Sequence, residues 1–486
     1  MRAKARLLSL LAVLCVASAS AFGQTEKLTA EPLLPDEVLA SSALHFPGIL
    51  KSLAEQRVAQ GKAVEAEGAF DTVFSSDAFN RLNGFYDGRV AGAKVTRPFR
   101  EFGGELYGDY SVSRGDFPIY EDQYFTSTDG TVKVGALFSL LRDRAIDARR
   151  VGVMDARLDI QEAELELMLT RVGVQQRALR AYWRWVAAGR QLAVYDELLR
   201  LAIDREAGLE RQVQDGSRAR IFLTENAQNL TRRRTLVVSA QRDFRSAAFE
   251  LSFYLRDPSG EISLPPAARL PAPEQIAQLP PVNSVGVIEQ SIARRPELKI
   301  VDTALQRAQQ RIALSENELK PRVDLNFEYA YGLGDQGEGG PSKDSEDFIV
   351  GFTVEVPLER RFAKGRIAQE RARQYALEFE RQQLEDQIEL ELQNILLDLD
   401  VAQELSRLAG QEVEQAEIMR DAERARFDQG ASDFFLVNLR EETAANALIR
   451  YYAAIREARV ARANYDAATV NMDQLGLADT EPSIAP

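Results

Sequence analysis

The sequence has 486 residues, with 60 Lys and Arg against 74 Asp and Glu, one histidine and one cysteine, and a formal net charge of −14. An acidic chain is a poor partner for nucleic acid. With only His45 and Cys15, His-rich and Cys–His zinc sites are excluded, and any Ser–His pair would have to use His45.

Residues 1–23 have the form of a secretory signal. Arg2, Lys4 and Arg6 precede an apolar stretch, 7–16, and then small residues, with cleavage expected after Ala19, Ala21 or Gly23. Cys15 follows the bulky Leu14 rather than a small residue, which argues against a lipid-anchored cysteine. Removing the signal takes away three basic residues and no acid, leaving an exported chain of charge −17 without cysteine. No run of about 20 apolar residues follows, so a membrane crossing would need a closed β-barrel.

A short helical approach at 31–50 contains Phe46-Pro47-Gly48-Ile49. Its counterpart at 284–300 contains Arg295-Pro296-Glu297-Leu298, and Pro47 and Pro296 stand 249 residues apart. Proline at a first helical turn predicts helices over 48–67 and 297–319. Strands follow each. Val323, Leu325, Phe327, Tyr329 and Tyr331 alternate with Asp324, Asn326, Glu328 and Ala330, and 70–79 is the weaker counterpart. The second strands are clearer. Phe348, Val350, Phe352, Val354 and Val356 alternate with Ile349, Gly351, Thr353 and Glu355; Val132, Val134, Ala136, Phe138 and Leu140 form the matching set. An acidic, glycine-rich loop at 332–345 joins one pair. A longer connection, about 83–130, joins the other and carries Tyr107, Tyr110, Tyr120 and Tyr124; part of 97–113 is expected to extend the hairpin as strand.

After each hairpin comes a long proline-free run. Val151, Leu158, Leu165, Val172, Leu179, Val186 and Ala193 recur every seventh residue, and a second stripe runs Val153, Ile160, Leu167, Val174, Ala181, Ala188 and Tyr195. Such a sustained heptad predicts supercoiled helix packing, and two stripes predict more than one neighbour. The later copy keeps Leu384, Ile388, Leu392, Ile395 and Leu399. At 1.5 Å per residue, about 70 residues make a rod of roughly 105 Å. Gly216 lies 81 residues past Gly135 and Gly430 lies 79 past Gly351, so two halves share one ruler. The expected organisation is a first repeat at 24–257, a linker at 258–283, a second repeat at 284–476 and a flexible tail at 477–486. Within the repeats the hairpins occupy about 69–141 and 321–358, the long helices 142–214 and 359–428, and the return helices 218–255 and 432–475.

This is a mainly α fold with β: two repeats of helix, β-hairpin, long helix and return helix. The shorter helices are expected to stack end to end along the long ones, covering their apolar flanks. Four amphipathic strands do not close a barrel, for which eight is the usual minimum. Several copies must therefore contribute: two would give eight strands, and three would give twelve and leave room for a channel. Asp324, Asn326, Glu328, Thr353 and Glu355 would line water, with the aromatics toward lipid.

The order of features now resembles a known family. It comprises the export signal, two repeats, Arg294-Arg295-Pro296-Glu297-Leu298, Pro321 opening a strand, and Gly351 followed by Val356-Pro357-Leu358. The segment from Phe427 through Gly430 to Leu436 comes next, then Tyr465 and Leu475-Gly476. Over residues 30–476 this resembles the TolC-like outer membrane efflux proteins. The resemblance implies a homotrimer in the outer membrane, with a twelve-stranded β-barrel continued by a long periplasmic α-helical barrel. It also implies outer-membrane lipid around the barrel, and docking to a periplasmic adaptor (membrane fusion) protein and an inner-membrane pump or a type I secretion system.

The implied function is passive export, with no enzyme activity, metal or cofactor. Paired carboxylates on long helices read as solvated faces, and no phosphate-binding glycine loop stands between a strand and a helix. The expected gate is the tip at Gly216 and Gly430, where Asp428 and Asp433 would form an acidic collar and Arg218 and Arg220 would pair with them. The competing reading is that these charges cap helix ends. The family often carries acids six and nine positions after the second glycine; here Leu436 and Leu439 stand there, suiting a hydrophobic constriction. The alternative function is a periplasmic adaptor or coiled-coil scaffold without a pore.

Overall fold

The computed structural model describes residues 31–277, 286–339, 346–478, 480 and 482. The proposed signal at 1–23 lies outside them, as do parts of the linker, the 332–345 loop and the tail. The described residues open with two helices, α1 (Pro35–His45) and α2 (Pro47–Glu67), each with proline in its first turn. Four strands follow: β1 (Val73–Asn80), β2 (Arg89–Pro98), β3 (Gly104–Arg114) and β4 (Thr131–Ser139). The rod α3 (Ala148–Gln214) and its return helix α4 (Ile221–Ser252) complete this half. A short α5 (Pro273–Ile276) leads to α6 (Val287–Arg294) and α7 (Pro296–Asn317). Then come β5 (Arg322–Gly332), β6 (Asp347–Glu355), the second rod α8 (Arg361–Asp428) and its return helix α9 (Phe434–Ala468).

The two rods have 67 and 68 residues, about 100 Å each at 1.5 Å per residue. Each ends at a glycine with positive φ, +72° at Gly216 and +75° at Gly430. That left-handed residue satisfies the last carbonyls: Gly216 N–H donates to the Val213 carbonyl and Gly430 N–H to that of Phe427. No clash forbids a side chain at either glycine, so the backbone angle alone selects it. Shorter helices flank the rods. Phe46 at the head of α2 stacks on Tyr254, just past the end of α4, at 5.5 Å, so the two meet end to end beside α3. Likewise Leu298 of α7 and Ala468 of α9 pack together on Ile388 and Leu392 of α8.

The main core lies midway along α3. Trp185 is 0% exposed, among Tyr182, Val186, Leu33, Leu39, Leu251, Ile276, Ile455 and Leu477. Leu477 corrects one expectation: placed in the flexible tail, it is instead buried, and its carbonyl accepts from Arg171. A leucine that can bury against this core has no reason to stay in water.

The sheet brings a larger correction. Among the described residues it has six strands rather than four, in a simple antiparallel meander from β1 to β6. The connection at 83–130, of which only part of 97–113 is expected as strand, contains β2 and β3 as a second hairpin. Three copies would therefore supply eighteen strands, not the twelve implied by the resemblance. Period-two alternation in these strands is muted by Ala91, Gly92, Ala93 and Gly108, whose side chains are too small to mark a face.

Candidate functional site

Register assigns each strand residue to one of two faces, because side chains alternate and paired residues point the same way. One face is apolar: Val323, Leu325 and Phe327 of β5 stand opposite Val354, Phe352 and Val350 of β6, and Phe138 of β4 stands opposite Leu325. The β6 residues of this face are exposed, Phe352 at 62% and Phe348 at 70%, while those of β4 and β5 are half-buried. An apolar face of this breadth left open to water is not a property of a soluble monomer.

The opposite face is polar. Asp324, Asn326, Glu328, Thr353 and Glu355 all lie on it, with Lys94, Glu105, Tyr107, Asp109 and Lys133 from the earlier strands. Asp324 is buried, however: it accepts from the Ser139 hydroxyl at 3.1 Å and from Arg322 Nε at 2.6 Å. Its charge is spent on neighbours at the root of the strands. Further up, the Lys94 ammonium sits 4.9 Å over the Tyr107 ring, and the Tyr107 hydroxyl donates to Glu328 at 2.7 Å. This row spans four strands because β4 contributes Gly135 beneath the ring, where a side chain would collide with it.

At the far end of the sheet the β3–β4 loop folds back over the polar face. Phe117 and Tyr124 pack on Phe79, which register places on that face, with ring centroids 6.5 Å and 5.2 Å away. Arg81 pairs with Glu121, and the loop is tied to the β5–β6 connection by Asp129 N–H donating to the Leu333 carbonyl.

The helical tip lies at the opposite end of the rods, and its predicted residues divide. Asp433 accepts from Leu436 N–H at 2.8 Å and is the N-cap of α9. Asp428 ends α8 and is exposed. Arg218 stacks over Phe222 at 5.4 Å and Phe427 at 5.3 Å, joining the two turns through aromatic rings. Among the described residues of one chain, neither Arg218 nor Arg220 pairs with Asp428 or Asp433. The reason is that Asp433 faces its own helix start. Leu436 is half-buried and Leu439 is exposed.

Sequence reasoning missed the strongest polar contact near the tip. Glu441, 3% exposed, pairs with both Arg205 and Arg233, the latter at 3.3 Å. Arg205 also donates to Asn438 Oδ1 at 2.7 Å, and Arg233, 2% exposed, donates to the Leu198 carbonyl at 2.5 Å. Burial pushes the Arg233 guanidinium below its usual range, opposed by the Glu441 carboxylate beside it. One carboxylate thus ties α3, α4 and α9 together. In sequence these residues look like ordinary charges on helix faces; only three-dimensional proximity reveals them.

Among the described residues, no group of His, Cys, Asp and Glu could hold a metal, and no helix is long and apolar enough to cross a membrane.

Comparison with known proteins agrees with this geometry. The outer membrane efflux protein family matches residues 287–469, which span α6 to the end of α9. No curated protein matches the chain. Among solved structures, the outer membrane protein VceC from Vibrio cholerae is 15% identical, with a TM-score of 0.61 over 90% of this chain and 95% of its own. The Campylobacter jejuni CmeC outer membrane channel is 11% identical, with a TM-score of 0.59 over 91% of this chain and 89% of that one. The open state of the Neisseria gonorrhoeae MtrE outer membrane channel is 13% identical, with a TM-score of 0.61 over 90% and 88%. At these identities the likeness is one of fold.

Proposed function

We propose that this chain, which carries an outer membrane efflux domain at 287–469, is one subunit of an outer-membrane exit duct. Three copies close their sheets into a β-barrel with the apolar faces toward lipid and the polar faces around water. The rods continue the tube through the periplasm. A periplasmic adaptor protein and an inner-membrane pump, or a type I secretion system, deliver cargo to the tip. The duct performs no chemistry.

The observation that carries this reading is the two-faced six-stranded sheet rooted directly on paired rods of about 100 Å. In lipid every backbone donor and acceptor must be paired within protein, so an open six-stranded sheet must be closed by further copies. A pore-free periplasmic scaffold would have no use for a broad apolar sheet face. The tip residues Asp428, Leu436 and Leu439 are the proposed constriction; Asp433, as a helix cap, supports it indirectly.

Purified protein added to a planar lipid bilayer tests the reading. Discrete ion-conducting steps, with membrane association that survives alkali, are expected. A protein released from membranes by alkali that never conducts would overturn it.

A further inference from the structure

We propose that the membrane barrel has eighteen strands, six from each of three copies, closed by β1 of one copy pairing with β6 of the next. This rests on the trimeric duct proposed above and adds the width and seam of its barrel.

The inserted β2–β3 hairpin behaves as barrel wall rather than as a loop. β2 pairs with β3 over ten residue pairs and with β1 over eight, without interruption. Its faces match those of the rest of the sheet. Ala91, Ala93 and Val95 with Leu106, Tyr110 and Val112 fall on the side of Phe327 and Val350; Lys94, Thr96, Tyr107 and Asp109 fall on the side of Glu328. Arg89 and Arg97 flank the apolar residues of β2, where their ends can reach the interfaces.

The hairpin also spans the same two levels as its neighbours. Its lower turn meets the root of α3: Arg150 donates to the Glu101 carbonyl at 3.4 Å and to those of Arg144 and Ala145 at 2.9 Å and 3.0 Å. A side chain at Gly103 or Gly104 would collide with the backbone of Asp143 or Leu137, so the turn is seated closely against that root. In its middle, the Lys94–Tyr107–Glu328 row fastens the hairpin to β5 across β4.

Among the described residues, only the outer edges of β1 and β6 lack a partner strand. They are of similar length, eight and nine residues. β1 leaves the end of α2 and β6 runs back toward α8, so the two are antiparallel when placed side by side. A neighbouring copy is the occupant that satisfies both edges at once and repeats around a ring. At a strand spacing of about 4.8 Å and a tilt of about 40°, twelve strands close at a radius of about 12 Å and eighteen at about 18 Å. The wider barrel leaves an open aqueous lumen, as barrels of 16–18 strands do.

Disulfide trapping in intact outer membranes tests the seam. In a Cys15→Ala background, one set of double variants joins Phe74→Cys, Ser76→Cys or Ala78→Cys with Val350→Cys, Phe352→Cys or Val354→Cys, all on the apolar face. A second set replaces the β1 cysteine with Leu106→Cys on β3. Oxidation should give covalent ladders up to three chains for one or two β1–β6 combinations, at least tenfold stronger than for any β3–β6 pair. Ladders from β3–β6 pairs instead would mean that β1 and β2 stand outside a twelve-stranded barrel, and would overturn the proposal. No ladder from either set in a protein that still conducts would also overturn it while leaving the duct intact. A parent that reaches the membrane intact and never conducts would count against the duct itself.

Discussion

The rods α3 and α8 are nearly equal in length, yet they are buried differently. On α3 both heptad stripes find partners inside the chain: Val151, Leu158, Val172, Leu179 and Val186 are buried, and so are Val174 and Ala181. On α8 one stripe, through Ile388, Leu392 and Leu399, is covered by α7 and α9. A second stripe through Leu390, Leu397, Val401, Leu405 and Leu408 remains exposed, Leu397 at 61%. Spacings of seven, four, four and three keep these residues on one helical face. A self-partnered rod beside a half-partnered one is what a subunit needs when its neighbour completes the tube. Thus α3 holds the protomer together, whereas the open stripe of α8 suits a second copy.

The sharpest way to break that contrast is to charge the open stripe of α8. Leu397→Asp with Leu405→Asp should separate the assembly into single chains by light scattering in mild detergent, while far-ultraviolet circular dichroism stays helical. Retained assembly would mean that this stripe faces something other than a second copy. On α3 the matching insult is Trp185→Ala, which removes the largest fully buried side chain. It should cost about 3–5 kcal/mol of protomer stability in denaturant unfolding. If assembly is lost before the fold is, the division of labour between the rods is wrong.

A change of similar size but narrower reach concerns Glu441. Glu441→Ala leaves Arg205 and Arg233 facing each other without a counter-charge, a loss of about 3–5 kcal/mol by the usual cost of breaking a buried pair. Because the network lies near the tip, hydrogen exchange should rise along residues 198–233 and 434–445 while the core around Trp185 stays protected. Uniform loss of protection would show that the tip does not open separately from the middle. The smallest effect separates the two aspartates of the second turn. Asp433→Ala removes a cap worth about 1 kcal/mol, so exchange should rise at 434–437 with conductance unchanged. Asp428→Ala should do the reverse, raising conductance without local fraying. Swapped outcomes would restore Asp433 to the collar.

Much of this contrast could be read from sequence, for definite reasons. The stripes from Val151 to Tyr195 follow a strict seven-residue repeat, so the rod they form was legible, and Gly216 and Gly430 marked ends that only a positive φ explains. The alternation from Val323 to Tyr331 was equally plain because each apolar residue there is large. β2 was not legible, since Ala91, Gly92 and Ala93 give its two faces almost the same polarity. The Glu441 network was hidden because a helix places charges on the surface by default, and only the meeting of α3, α4 and α9 buries this one. At the tip, sequence offered two meanings for each charged residue. The hydrogen bond from Leu436 to Asp433 decides one of them in favour of capping.

The account turns on several copies of this chain closing one conduit. Native mass spectrometry of the protein released intact from mild detergent measures that number directly. It should find complexes of three chains, without a substantial population of single ones. A spectrum dominated by single chains under conditions that preserve their helices would contradict the account.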